Sequence, residues 1–251
     1  MRLAAIAIRI LCIQKEKSMI EYEKMQEGVF LSRPNRFLAH VRIDGREEIC
    51  HVKNTGRCRE LLIPGTRVWC QHHDDPSRKT AWSLITVEKG RMLVNLDSQV
   101  PNKLAADYVR QGGLGFVPRL VKSEQTWGNS RFDLYYEAED RRGFVEVKGV
   151  TLETDGVASF PDAPTERGRK HLEELERAVE EGYEAWVLFV LQMSPMVRFT
   201  PNWPRDPAFA AALCRAADHG VQVRAVECRV TPNTLEITAP VPVQLEKENA
   251  T

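Results

Sequence analysis

Glu146 and Lys148 stand two residues apart in the alternating run Phe144-Val145-Glu146-Val147-Lys148, and Asp133 stands in a second such run, Arg131 to Ala138. Side chains alternate faces along a strand, so Glu146 and Lys148 point one way while Val145 and Val147 point the other. If the two runs pair across the polar turn Asp140 to Gly143, Asp133 and Glu146 converge with Lys148 beside them. Two carboxylates and an ammonium on an otherwise apolar hairpin need a partner, because burying uncompensated charge costs several kcal/mol. A Mg²⁺ or Mn²⁺ ion would supply one: it prefers oxygen ligands, keeps several waters and needs one or two protein carboxylates, and the Val147 carbonyl could add a ligand. Such an ion polarises a phosphoryl oxygen and acidifies a bound water, which Lys148 could orient, or Lys148 could steady charge developing on phosphorus. The chemistry would be phosphodiester hydrolysis. The same Glu-x-Lys spacing also serves as a plain cross-strand or surface ion pair, and the added Asp133, the strand context and the acidic character of this half of the chain set the metal reading level with it.

The elements around these residues fall into two kinds. From Val29 to Leu96 short strands are broken by turns: Phe37, Ala39, Val41 and Ile43 alternate with polar neighbours, Asp44-Gly45 makes a two-residue hairpin, and Glu48 to Lys53 returns. Further strands are predicted at Arg67 to Cys70, Trp82 to Glu88 and Met92 to Leu96. About five short strands suggest a small barrel of the OB type. Ser98 to Gln111 reads as a helix stopped by Gly112-Gly113, and beyond it strands and helices alternate. Thr165 is the expected N-cap of a helix with an apolar stripe at Leu172, Leu175 and Val179 and a stop at Gly182. Ala185 to Met193 reads as a strand covered on both faces, followed by a helix at Pro207 to His219 and a strand at Val221 to Val230. The fold class is α/β (α+β overall), with a domain over 19–103, a second over 104–251, and a possible extension at 1–18.

The chain has 251 residues, 43% of them hydrophobic, enough for two cores. Its net charge of zero hides a split: residues 1–103 carry +6 and residues 104–251 carry −6. A basic half suits a polyanion and an acidic half a divalent metal. In the basic half Arg33, Arg36, Arg42, Arg46, Lys53, Arg57 and Arg59 outnumber Asp44, Glu47 and Glu48, with Asn54 a further candidate contact and Phe37 and Trp69 available for stacking, although core roles are the plainer expectation for both rings. In the acidic half the first turn after Thr165 holds Glu166, Arg167, Lys170 and His171, where backbone N–H groups favour phosphate. A capped, solvated turn is the alternative there. The apolar run Met1 to Ile13 is interrupted by Arg9 and too short for a membrane span. Six cysteines without a CxxC pair fit a reducing, cytoplasmic compartment. There is no P-loop, Rossmann fingerprint or nucleophile elbow to suggest a small-molecule enzyme.

Asp133 with Glu146-Val147-Lys148 resembles the PD-(D/E)xK nuclease motif. More specifically, Phe160-Pro161-Asp162-Ala163-Pro164-Thr165-Glu166-Arg167-Gly168-Arg169-Lys170-His171-Leu172 resembles the signature of the sugar fermentation stimulation protein A family, as do Glu146 to Leu152 and Asn54-Thr55-Gly56, across about Phe30 to Val230. Lys53 departs from the proline many members carry there. The resemblance implies an N-terminal OB-like domain followed by a PD-(D/E)xK nuclease-like α/β domain with a mixed central sheet. It implies proteins that bind DNA without sequence preference and are proposed regulators of sugar metabolism genes, notably for maltose. It places Asp133, Glu146 and Lys148 on metal and catalytic positions, and Glu124 where some members contribute an extra acid from an earlier helix, an exposed surface glutamate being the other reading. Nucleic acid, most of all DNA, is the expected partner.

Overall fold

The computed structural model describes residues 19–54 and 56–247. The N-terminal run and Thr55 lie outside them. In the basic half, β2 (Met25–Asn35), β3 (Leu38–Ile43), β4 (Arg46–Val52), β5 (Arg67–His72), β6 (Trp82–Lys89) and β7 (Met92–Asn95) form one sheet in the order β4-β3-β2-β5-β6-β7. A parallel pairing of β4 with β6, Cys50 opposite Trp82, closes five of these strands into the OB-like barrel, with β7 on the edge of β6. The β3–β4 turn is the two-residue hairpin read from the sequence. Asp44 and Gly45 both have positive φ, 48° and 77°, the conformation such a turn demands. Ala39, Val41 and Ile43 point inward and are buried with Phe30, Val68 and Leu84.

The second domain is a seven-stranded mixed sheet. It uses β1 (Met19–Glu21), β8 (Leu120–Trp127), β9 (Ser130–Glu137), β10 (Arg142–Val150), β13 (Glu184–Leu191), β15 (Gln222–Val230) and β16 (Thr234–Val241), in the order β1-β16-β15-β13-β10-β9-β8. Strands β10, β13 and β15 run parallel. Helices α2 (Glu166–Glu180) and α3 (Pro207–Asp218) bury Leu172, Leu175, Phe209 and Leu213 with Phe144 and Phe189, and this core is continuous with the barrel interior. Helix α1 (Val100–Arg110) buries Leu104 and Val109 with Val145, Val147 and Leu188 of the other face. Ala185 to Leu191 is fully buried, as a strand between two helical layers should be. A small sheet of β11 (Glu153–Thr154), β12 (Val157–Phe160) and β14 (Arg198–Pro201) flanks the main one. Among the described residues no helix is long and apolar enough to cross a membrane.

The structural junction differs from a break between residues 103 and 104, which falls inside α1. The chain leaves the barrel between Asn95 and Val100, and β1 pairs with β16, so Met19–Glu21 belongs to the second sheet. Buried polar contacts lock the two bodies together. Gln192 Nε2 donates to the carbonyl oxygens of Asn95 and Asp97, each at 3.0 Å, and Lys53 Nζ meets Asp97 Oδ2 at 2.8 Å. Lys89 Nζ of the barrel donates to both the carbonyl and the carboxylate of Glu153 on β11.

The Glu153 pair carries a pH dependence of definite sign. Burial alone would raise its carboxyl, yet the Lys89 ammonium and the Gly156 N–H outweigh burial and hold it below the ordinary glutamate value. A lowered folded-state value stabilises the fold above the unfolded value, and that stability is lost as pH falls through the folded one. Urea unfolding should therefore separate wild type from Glu153→Gln at neutral pH and bring them together in acid; a gap that widens in acid would contradict the assignment.

Candidate active site

The site forms where β9 and β10 part. Their antiparallel ladder runs from Arg142 opposite Glu137 to Val145 opposite Leu134 and ends there. Beyond it the Asp133 carboxylate takes the place of a ladder partner: Oδ2 accepts the Val147 N–H at 2.8 Å, and Oδ1 accepts from Asn102 Nδ2 of α1 at 2.7 Å. Glu146 and Lys148 share the other face, as their spacing predicts, with Lys148 Nζ donating to Glu146 Oε1 at 2.6 Å. His171, on the buried side of α2, also meets Glu146 Oε1 through Nδ1. Arg167 Nε donates to His171 Nε2 at 3.4 Å, so Nε2 is the acceptor and the proton on Nδ1 is the one given to Glu146. The helix that presents His171 and Arg167 starts where expected: the Thr165 hydroxyl accepts the Gly168 N–H at 3.0 Å.

Glu146 is 3% exposed, and its second oxygen, Oε2, is buried without a hydrogen-bond partner. Burial favours its protonated form, but the His171 hydrogen bond and the Lys148 ammonium prevail and hold the carboxyl below the usual glutamate range. Asp133 moves the other way. Burial first and then the Glu146 charge push it up, against the Val147 N–H, Lys148 and Asn102. Two crowded carboxylates, one under strain of charge and the other with an orphaned buried oxygen, are a set that a hard cation would satisfy. Among the described residues no group of three or more His, Cys, Asp and Glu side chains gathers to hold a metal. The oxygen donors expected from the sequence, the two carboxylates and the Val147 carbonyl, would suit an ion that keeps its own waters and would not suit zinc.

The accessory positions separate. His171 belongs to the cluster. Glu166 is exposed on the first turn of α2. Glu124 does not lie on a helix: it sits on β8 with a positive φ of 55°, exposed and paired with Arg131 at 3.4 Å. The group reaching Asp133 from a preceding helix is Asn102 instead, which nothing in the sequence singles out.

The basic half also sorts itself. Arg33 was expected on nucleic acid, but Nη1 donates to the Gly56 and Arg57 carbonyls and Nη2 to those of Arg36 and Asn54. All four Nη hydrogens are spent on shaping the loop, while Nε is buried without a hydrogen-bond partner. Lys53 is likewise taken up by Asp97, with 17% of its side chain exposed. Asn54 turns the same loop by accepting the Gly56 N–H at 2.8 Å. Arg36, Arg57 and Arg59 are exposed on a cleft of about 890 Å³ between the barrel and the segment Phe160 to Thr165. Arg167 and Lys170 are exposed on α2. Trp69 is buried, as expected, whereas Phe37 departs from a core role and is 50% exposed.

Comparisons with known proteins cover both domains. Residues 31–96 match the family model of the SfsA N-terminal OB domain, and residues 99–234 that of the Sugar fermentation stimulation protein RE domain. A sugar fermentation stimulation protein homolog of Desulfitobacterium hafniense strain Y51 is 55% identical over 226 residues, covering 90% of this chain and 99% of its own. One from Clostridium beijerinckii is 50% identical over 218 residues, covering 87% and 96%. The solved structure of Pyrococcus furiosus SfsA in complex with Ca²⁺ superposes with a TM-score of 0.81 at 28% identity, over 90% of this chain and 98% of that one.

Proposed function

The chain belongs to the sugar fermentation stimulation protein family, and from that premise we propose that it is a DNA-binding protein whose second domain cleaves phosphodiester bonds with Mg²⁺ or Mn²⁺. The observation that carries this reading is the buried, unpartnered Oε2 of Glu146 at the point where Asp133 interrupts the β9–β10 ladder. Asp133, Glu146 and the Val147 carbonyl would hold the ion, and a structural relative bound to Ca²⁺ accords with oxygen ligation. When bound, such an ion lowers the pKa of water and polarises a phosphoryl oxygen.

The chain's own residues do the rest. Lys148, anchored by Glu146 and 15% exposed, keeps ammonium hydrogens beyond that bond, which could orient a nucleophilic water or meet charge growing on a phosphoryl oxygen. His171 holds Glu146 in one rotamer, leaving the second oxygen turned away from it. Arg167, Lys170 and the α2 N-terminus would grip the backbone of the strand being cut, with Arg36, Arg57 and Arg59 extending the contact. A site meant only to grip a polyanion would do better with neutral or basic residues in place of Asp133 and Glu146.

Incubating plasmid, linear and single-stranded DNA and RNA with wild type and Glu146→Ala in Mg²⁺ or Mn²⁺ tests the reading. Metal-dependent cutting by wild type alone is expected. A wild type that binds DNA and cuts none of these substrates would leave a non-catalytic DNA-binding regulator of sugar metabolism genes.

A further inference from the structure

Phe37 stands at the tip between β2 and β3 with half of its surface in solvent, and the Arg36 guanidinium lies 5.7 Å from its ring centroid. Leaving a large ring in water forgoes about 25 cal/mol for every Å² that could have been buried, so the exposed half of the ring contributes nothing to the fold. The same tip borders the cleft of about 890 Å³, whose lining holds four arginines against one carboxylate, Asp162. Arg57 and Arg59 are exposed, and neither is paired with a carboxylate among the described residues. The opposite wall, Phe160 to Thr165, runs straight into the N-terminus of α2. A smaller cavity of about 190 Å³ shares Gly56, Phe160 and Asp162 with the cleft and reaches Gly149, the residue after Lys148. Cations and an exposed ring thus lie along one surface, and the smaller cavity that adjoins it ends one residue from Lys148.

A duplex offers phosphates and groove edges but keeps its base faces stacked on one another, so an isolated exposed ring has little to hold on it. An unpaired strand offers both phosphates and free base faces. We infer that the cleft takes an unpaired polynucleotide strand, with a base stacked on Phe37, its phosphates on Arg36, Arg57 and Arg59, and its course leading past Gly56 toward Lys148. This deepens the nuclease reading and rests on it for what happens at Glu146, but binding can be measured without cleavage.

The test is fluorescence anisotropy in excess chelator with labelled oligodeoxythymidylate, oligouridylate and a DNA duplex of equal length. One of the single strands should bind at least about tenfold tighter than the duplex, and the preferred sugar identifies whether DNA or RNA is the natural strand. Phe37→Ala should weaken that binding by roughly fivefold to a hundredfold and leave duplex binding unchanged, with Phe37→Trp restoring it. Arg57→Glu combined with Arg59→Glu should weaken all three and flatten their salt dependence. Duplex binding as tight as either strand, or Phe37→Ala binding like wild type, overturns the proposal. Failure of the nuclease reading alone would show as this binding pattern intact with no cleavage once metal is added.

Discussion

Asp133→Asn is expected to cut metal-dependent cleavage by about a thousandfold or more while making the metal-free protein more stable. The loss follows from removing a ligand charge, since a bound metal supplies several kcal/mol of charge stabilisation and about 4 kcal/mol corresponds to a thousandfold in rate. The gain follows from the direction of the Asp133 shift. Burial and the Glu146 carboxylate raise its folded value above the unfolded one, so its ionised form costs stability at neutral pH, a cost relieved as pH falls through the folded value. Asparagine keeps the acceptor for the Val147 N–H without the charge, and the Asn102 amide can turn its oxygen toward the new NH₂. In chelator the melting temperature should rise by a few degrees, because about 1 kcal/mol moves a chain of this size by roughly 2–4 °C. Adding Mg²⁺ should raise it for wild type and not for the variant. A variant that melts lower than wild type in chelator would mean that the carboxylate is stabilising as it stands, and the case for a missing cation would fall with it.

The second large effect concerns the junction. Gln192→Leu preserves volume but removes the NH₂ that serves the Asn95 and Asp97 carbonyls, and Gln192 is 1% exposed, so water cannot replace it. The Asn95 carbonyl loses this donor and the Asp97 carbonyl keeps only the long 3.5 Å bond from the Val100 N–H, and at about 1–3 kcal/mol each this predicts a fall of roughly 5–15 °C in melting temperature. Gln192→Glu should be no better, since it sets a carboxylate against the same oxygens. Differential scanning calorimetry checks this, and a variant within a degree of wild type would show that the amide does not clamp the two bodies.

The sequence made most of the site legible because its chemistry is local. A period of two fixes the common face of Glu146 and Lys148, and an Asp-Gly turn or a Thr N-cap depends on a few neighbouring residues. What it could not show was who else wanted a given side chain. Arg33 and Lys53 look like phosphate ligands among their basic neighbours, yet each is claimed from far along the chain or by backbone carbonyls brought round by the fold. Asn102 escaped notice for the converse reason: an amide in a first helical turn has no signature until Asp133 is folded against it. Strand β8, with polar residues Lys122 to Thr126 and Glu124 out of the ordinary β conformation, lacks clean alternation because it is the outermost strand of its sheet. Likewise three residues at Met19–Glu21 are too few for a pattern, and their place is set by β16 at the other end of the chain.

That last pairing changes how the two bodies are held together. With β1 before the barrel and α1 after it both built into the other sheet, the barrel is an insertion, and the chain crosses the junction twice. The crossings touch: the Tyr22 hydroxyl lies 3.5 Å from Asp97 Oδ2 and accepts from Asn95 Nδ2 at 3.3 Å. A single linker would hold the barrel by one stretch of chain, whereas two adjacent crossings add a second covalent anchor beside the shared core and the Gln192 and Lys89 contacts, so a nick in either one should leave the barrel seated.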